Sequence, residues 1–354
     1  MASPARHFIL ELDNFTNYDF NINWGDGNDE NVQITGSNLF PSLTHIYDNS
    51  GIYDISITEN TKGGFSKLSS NASSSGSDDV KITKILYWGK CGWTSLNRAF
   101  HNATNLTDVN TDYNYLSAVT DFSYAWEDCP LSSFKSINTS SGTSFNQAWY
   151  GNKFAYFPLI DTSNASGSNL NYAWTWCNLL KSFPLINTSN LTSLVGTWKS
   201  CNSLSSFPLI NTSNVNNFES TWLDCRSLNS FPLIDTSNGT NFRYTWYGCK
   251  SLSASHFPNL DMSKMTDGTN CFAAGVKLTT YSFSTLIESI CANNTNQNVI
   301  FHAGSSNYNS TYGLSALEYL SNNRGWTIVS GTEDPEPLEM SITIDSNYTA
   351  TNSY

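Results

Sequence analysis

Apolar positions in the middle of the chain recur in a fixed order: a large aromatic, Cys three residues on, Leu three further, then Phe-Pro-Leu-Ile closing on Asx-Thr-Ser. The closing phrase appears at Phe157, Phe183, Phe207 and Phe231, and a fixed period of this length marks stacked repeats. Aligned on the aromatic, the columns read Phe100, Trp126, Trp149, Trp174, Trp198, Trp222, Trp246 and Phe272, 23 to 26 residues apart. Apolar residues also lie four positions before most of these, as at Leu96, Phe122, Phe145, Leu170, Leu194, Phe218 and Phe242. Three- and four-residue spacing predicts one short helix per turn, entered through Thr-Ser-Asn as an N-cap. Phe-Pro-Leu-Ile predicts a strand of only three or four residues, because Pro158, Pro184, Pro208, Pro232 and Pro258 each remove a ladder donor.

The flanks carry different patterns. Residues 8–12, 20–24, 31–34 and 52–57 are alternating, strand-length runs separated by Gly, Asn and Asp, which predicts a small β-sandwich. After Tyr281 the repeat dissolves into a predicted helix over 283–292, a strand over 298–302, a helix over 313–322 and a strand over 326–329. Stacked repeats need closed ends, so this stretch is expected to be a cap. The expected organisation is an N-terminal sandwich over 1–61, a Ser/Gly-rich linker or loop over 62–86, repeats over 87–280, a C-terminal cap over 281–331, and an acidic linker with a last strand over 332–354. Leu338 to Asp345 alternates like a single strand, which needs a partner and offers a route to oligomers.

Two resemblances follow from particular residues. Trp24-Gly-Asp-Gly27, with His45-Ile-Tyr47 and Gly51-Ile-Tyr53, is similar to the signature of polycystic-kidney-disease-type (PKD) domains, over roughly residues 6 to 60. The repeats, with the entry Trp88-Gly-Lys-Cys-Gly-Trp93 and the exit Arg324-Gly-Trp326, resemble the BspA-like leucine-rich-repeat family over about 88 to 331. Together they imply a β-rich α/β protein: an Ig-like β-sandwich, then a leucine-rich-repeat-type solenoid of about eight turns with a C-terminal α/β cap. They also imply a surface or adhesive role and no reaction.

Composition narrows the partners. The formal charge of −12 repels a phosphate backbone, which excludes nucleic acid as the expected partner. No apolar run is long enough to span a bilayer. The start lacks the basic stretch and apolar run of a secretory signal, which leaves a removed signal or a signal-free exit, as for virion proteins. The expected location is therefore a virion surface or an extracellular cell surface. Eight cysteines are present, but Cys177, Cys201, Cys225 and Cys249 share one column three residues after each Trp, which favours free buried thiols over disulfides.

Candidate chemistry is sparse. The five histidines, His7, His45, His101, His256 and His302, show no zinc spacing, and no Gly-x-Ser-x-Gly or phosphate-binding Gly-Lys-Ser sequence occurs, so no enzyme is expected. The column Asp161, Asn187, Asn211, Asp235 and Asp261 offers oxygen ligands for a structural Ca²⁺, as do Asp26, Asp29 and Glu30; turn chemistry is the favoured reading of both, and no cofactor is expected. Tyr124, Tyr150, Tyr172, Trp176, Tyr244 and Tyr247 sit beside the core aromatics, facing outward among Asn and Ser, as a glycan- or partner-binding surface requires. The expected function is non-enzymatic binding, adhesion or decoration, contacting a host glycan or protein or neighbouring surface subunits. The alternatives are a purely architectural spacer and, behind it, a polysaccharide-active enzyme.

Overall fold

The structure is a computed structural model and describes residues 6–12, 17–35, 42–65, 67–68, 78–110, 115–254, 257–311 and 313–334. The expected last strand, 338–345, lies outside the described residues, as does much of the Ser/Gly-rich segment.

Five strands open the chain: β1 (His7–Glu11), β2 (Tyr18–Asn23), β3 (Asp29–Ile34), β4 (Ser42–Ile46) and β5 (Ser56–Glu59). β1 pairs antiparallel with β4, and β2 lies between β3 and β5 with Phe20 opposite Val32 and Glu59. Alternation decides which face is covered: Tyr18, Phe20 and Ile22 are buried while Asn21 and Asn23 are exposed. The Trp24-Gly-Asp-Gly27 turn is held by its own neighbours. Asp26 accepts the Asn28 N–H at 3.1 Å, His45 stacks on Trp24 at 4.8 Å, and the Tyr47 hydroxyl donates to the Trp24 carbonyl at 3.1 Å.

β6 (Lys84–Ile85) and β7 (Asp108–Val109) pair in parallel and lead into the repeats. At the far end stand α1 (Thr280–Asn293), β8 (Ile300–His302), β9 (Tyr308–Asn309), α2 (Gly313–Arg324), β10 (Thr327–Val329) and β11 (Glu333–Asp334). β8 pairs with β10 and β9 with β11, both in parallel. The Thr279 side chain accepts the Ser282 N–H at the start of α1. The last repeat donates onto β8, from Gly268 to the Ile300 carbonyl at 2.7 Å and from Phe272 to that of His302 at 2.9 Å.

The expected fold class is overturned. The described residues hold two α-helices and five small sheets of two or three strands, with no α-helix or strand between β7 and α1. This is not a leucine-rich-repeat-type α/β solenoid with a strand and a helix in each turn. The physical reason is backbone handedness. Two residues before each column aromatic the chain turns left-handed, at Arg98, Tyr124, Gln147, Tyr172, Gly196, Ser220, Tyr244 and Asn270. Two residues after it the same happens, at Asn102, Asp128, Gly151, Trp176, Ser200, Asp224, Gly248 and Ala274. A helix cannot continue through such residues. Tight turns replace it, Ala125 donating to the Phe122 carbonyl and Cys129 to that of Trp126, at 3.1 and 3.3 Å.

The alternate N–H groups are thereby released toward the next repeat. Phe122, Tyr124, Trp126 and Asp128 donate to the carbonyls of Ser144, Asn146, Ala148 and Tyr150 at 2.8 to 2.9 Å, and the pattern recurs down the chain. The predicted Phe-Pro-Leu-Ile strands are also absent, the prolines confining pairing to isolated bridges such as Tyr156 with Ser182.

The interior is made of rings. Trp126, Trp149, Trp174, Trp198, Trp222 and Trp246 lie one on another, with centroids 5.3 to 6.0 Å apart and planes within 12° of parallel. Phe134, Phe157, Phe183, Phe207, Phe231 and Phe257 form a second stack, meeting the indoles edge to face, as Phe183 meets Trp174 at 4.7 Å. The six indole N–H groups are buried with no hydrogen-bond partner.

Candidate functional site

The Asx column is built from local bonds. Asp161, Asn187, Asn211, Asp235 and Asp261 each accept the N–H of the Ser two residues on, at 2.8 to 3.1 Å. The Ser237 hydroxyl and amide hold the Asp235 carboxyl below the usual carboxylate range. Beside this column a buried row of threonines, from Thr139 to Thr236, donates hydroxyls to the next repeat's Asx carbonyl, as Thr188 does to Asn211 at 2.6 Å. In the N-terminal sheets Asp26 meets His45 at 2.7 Å, which depresses its carboxyl, and Asp29 accepts from Asn23 at 2.6 Å. The Asx column is therefore engaged in turn chemistry, and Asp26 and Asp29 are bonded to His45 and Asn23. Among the described residues no group of three or more His, Cys, Asp or Glu is placed to hold a metal ion.

All eight cysteines are free, and only Cys291 is partly accessible. Each column thiol donates to the carbonyl of the preceding repeat's Trp, Cys201 to Trp174 at 3.2 Å and Cys225 to Trp198 at 3.1 Å. Asn152 does the same to Trp126 at 2.8 Å where a repeat lacks the Cys. Burial pushes the thiols of Cys177, Cys201, Cys225, Cys249 and Cys271 far up, so they have no nucleophilic role at neutral pH.

The outward aromatics are more informative. Tyr124, Tyr172, Trp176 and Tyr244 all occupy the left-handed positions, with φ of 54° to 64°. Bulky side chains are disfavoured there; the equivalent places in other repeats hold Asn102, Gly151, Gly196, Gly248 and Asn270, but also Arg98, Gln147, Asp128, Ser200, Ser220, Asp224 and Ala274. The fold thus accepts small as well as long side chains at these points. Trp176 is 52 % exposed and the three tyrosines are half-buried. The Tyr172 ring lies against Gly196, where an added Cβ would collide with it. Tyr150 and Tyr247 sit one residue after the column aromatic; Tyr247 packs on Tyr244 at 5.5 Å, edge to face.

A network of charged side chains that the sequence analysis missed joins these rings. Asn241 donates to Glu219 at 3.1 Å, and Arg243 pairs with Asp267 at 3.2 Å while lying over the Tyr244 ring at 5.8 Å. Burial opposes ionisation of Asp267, but the Thr269 bonds and the Arg243 guanidinium outweigh it and hold the carboxyl low. Burial, then Glu219, raises the Tyr172 phenol. A smaller cluster surrounds Tyr150: His101 meets Glu127 at 3.1 Å, and burial followed by Asp128 and Glu127 raises that phenol. Arg98 lies over Tyr124 at 4.2 Å. The signal for these groups was present: Glu219 and Arg243 stand three residues before their Trp, a place held elsewhere by Ser, Asn, Val or Thr, and 23 to 26 residues in sequence is one row in space.

The six aromatics are spread along the repeats. Tyr172 and Trp176 share one repeat, Tyr244 and Tyr247 another, and Gly196 and Ser220 leave small side chains between Tyr172 and Tyr244. Rings bracketing small residues, with a carboxylate, an amide and a guanidinium alongside, offer apolar faces and polar edges to one ligand.

No family model, curated protein or solved structure matches the chain. No helix among the described residues is long and apolar enough to cross a membrane.

Proposed function

We propose that the protein is a non-enzymatic binding or adhesion protein, displayed on a virion capsid or tail or on a bacterial surface, and that it holds glycan on the Tyr172 to Tyr247 face. The observation that carries this reading is the placing of three aromatic rings, Tyr172, Trp176 and Tyr244, at left-handed backbone positions that other repeats fill mostly with glycine, asparagine, aspartate or serine. The Glu219, Asn241 and Arg243 groups supply edges for sugar hydroxyls. The surface role agrees with what the PKD and BspA-like resemblances imply. A glycan array scored for both retention and cleavage tests it, with Trp176→Asn and Tyr244→Asn beside the wild type. Retained, uncleaved glycans that both variants lose are the expected result; cleavage, or variants that bind as well as wild type, defeats it.

The architectural alternative gains from one observation, a row of exposed leucines on the repeats.

A further inference from the structure

The leucine of Phe-Pro-Leu-Ile faces solvent in all four repeats that carry the phrase. Leu159, Leu185 and Leu209 are 62 % exposed and Leu233 is 64 % exposed, while the Phe and Ile on either side are buried. The third and fourth rows show the cause: Ile210 donates to the Pro208 carbonyl at 3.0 Å and Ile234 to that of Pro232 at 2.9 Å, a three-residue turn with Leu at its tip. That turn does not need leucine. Asn259 forms the same tip in the following repeat, closed by Leu260 donating to Pro258 at 3.0 Å, and the preceding repeat has Ser136 at the equivalent place. The stack thus carries an apolar stripe of four rows, with a polar row beyond each end, that its own folding does not explain.

The last described residue of the chain lies beside one end of this stripe. The Asp334 carboxylate accepts the Thr280 hydroxyl at 2.8 Å, and two residues further along α1 the Ser282 hydroxyl accepts the Phe257 N–H at 3.1 Å. The chain therefore leaves β11 in the row next to that of Phe257 and Asn259. Past Asp334 the sequence reads Pro-Glu-Pro and then alternates, Leu338, Met340, Ile342 and Ile344 being separated by Glu339, Ser341 and Thr343.

We propose that this segment of the same chain lies extended along the stripe and runs back from the cap toward the first repeats, with Leu338 on Leu233, Met340 on Leu209, Ile342 on Leu185 and Ile344 on Leu159. Count and polarity select it first. Four alternate apolar residues meet four leucines, and the same register carries Glu336 to Asn259 and Ser346 to Ser136, polar on polar at both ends. Period selects it next. The phenylalanines two residues before the leucines are 6.0, 6.2 and 6.3 Å apart, against about 6.4–6.8 Å for alternate residues of a strand, a mismatch of about 1 Å over three steps that strand twist absorbs. Helical turns advance about 5.4 Å and slip by about 2 Å over the same rows, and the β-branched Ile342, Thr343 and Ile344 favour the extended form. Reach is the last argument. Asp334 to Leu338 is four residues, about 13 Å when extended, and Leu233 stands two rows away at about 6 Å per row. So short a tether holds the segment beside its own stripe at about millimolar effective concentration, so it needs far less contact area than a free partner does. This inference is independent of the glycan reading and uses other columns of the repeat.

A glutamate-specific protease on the full chain tests it through cleavage after Glu339. Wild type is expected to be cut at least about tenfold more slowly there than the double variants Leu185→Asn, Leu209→Asn and Met340→Asn, Ile342→Asn. Both variants are expected to keep wild-type near-ultraviolet circular dichroism and glycan profile, since Asn259 shows that the turn tolerates asparagine and the second pair lies outside the repeats. Equal cleavage of wild type and the Met340→Asn, Ile342→Asn variant overturns the proposal. Register is read by Leu209→Cys with Met340→Cys in a Cys291→Ser background: mild oxidation is expected to close a disulfide within one chain, whereas Leu159→Cys with Leu338→Cys stays unlinked. A matched pair that does not link, a mismatched pair that links equally well, or links that join two chains overturn the arrangement.

Discussion

The six indoles of the central column, Trp126 to Trp246, make large flat contacts yet leave every N–H buried without a partner. An unsatisfied buried donor costs free energy, so the benefit of tryptophan over phenylalanine at these places is area alone, reduced by that penalty. The column ends show the substitution already made, since Phe100 stacks on Trp126 at 6.5 Å and Phe272 on Trp246 at 5.1 Å. Trp198→Phe is therefore expected to cost about 1 kcal/mol, while Trp198→Ala, which leaves a cavity against Phe183, Phe207, Trp174 and Trp222, costs about 3–5 kcal/mol. Urea denaturation midpoints compare the two, and equal losses would refute the reasoning. At Trp176 the same logic reverses sign: the residue is exposed and left-handed, so Trp176→Asn is expected to leave thermal stability unchanged or to raise it by up to about 1 kcal/mol while glycan retention falls.

At the scale of elements, what the sequence disclosed depended on whether spacing alone decides the structure. The helix expected over 283–292 forms as α1, where no residue is left-handed and Thr279 caps the first turn. Three- and four-residue spacing misled within the repeats, since consecutive tight turns place residues 122 and 126 on one side as a helix does. Residue type was the overlooked signal: Asn102, Asp128, Gly151, Asp224 and Gly248 form one column and Gly196 and Asn270 lie in another, types that tolerate left-handed backbone. The aromatic candidates were chosen only for standing beside the core aromatics; four of them, Tyr124, Tyr172, Trp176 and Tyr244, fall in those left-handed columns, while Tyr150 and Tyr247 do not. The charged network was missed although Glu219 and Arg243 stand out at their repeat position, because its partners lie 22 to 24 residues apart and meet only once the repeats stack. The α1 boundary gives a separate test. Thr279→Ala removes the side chain that accepts from Ser282 and is expected to cost about 1 kcal/mol, with amide exchange accelerated in the first turn of α1; unchanged exchange there would count against the cap.

For the molecule as a whole, the thiol column sets an upper pH limit. Cys177, Cys201, Cys225 and Cys249 of this column, and Cys271 one residue before Phe272, are fully buried, and burial is the first cause of their raised pKa values. A group whose folded pKa lies above its unfolded value contributes stability below the unfolded value and loses it as pH rises toward the folded one. In the unfolded chain these thiols ionise near 9.0, so the native state keeps protons there that the unfolded state has released. Each thiol then removes about 1.4 kcal/mol of stability per pH unit, and five act together. Unfolding is expected to begin sharply above pH 9, ahead of lysine and tyrosine titration, and Cys225→Ala should shallow the slope by about one fifth although it lowers stability at neutral pH. Near-ultraviolet circular dichroism against pH reads both effects. In parallel, a thiol reagent at neutral pH is expected to label Cys291 first and the column only on unfolding. Rapid labelling of the column in the folded state, or a native spectrum that persists well past pH 10, would show that the stacked rings do not seal the thiols from water.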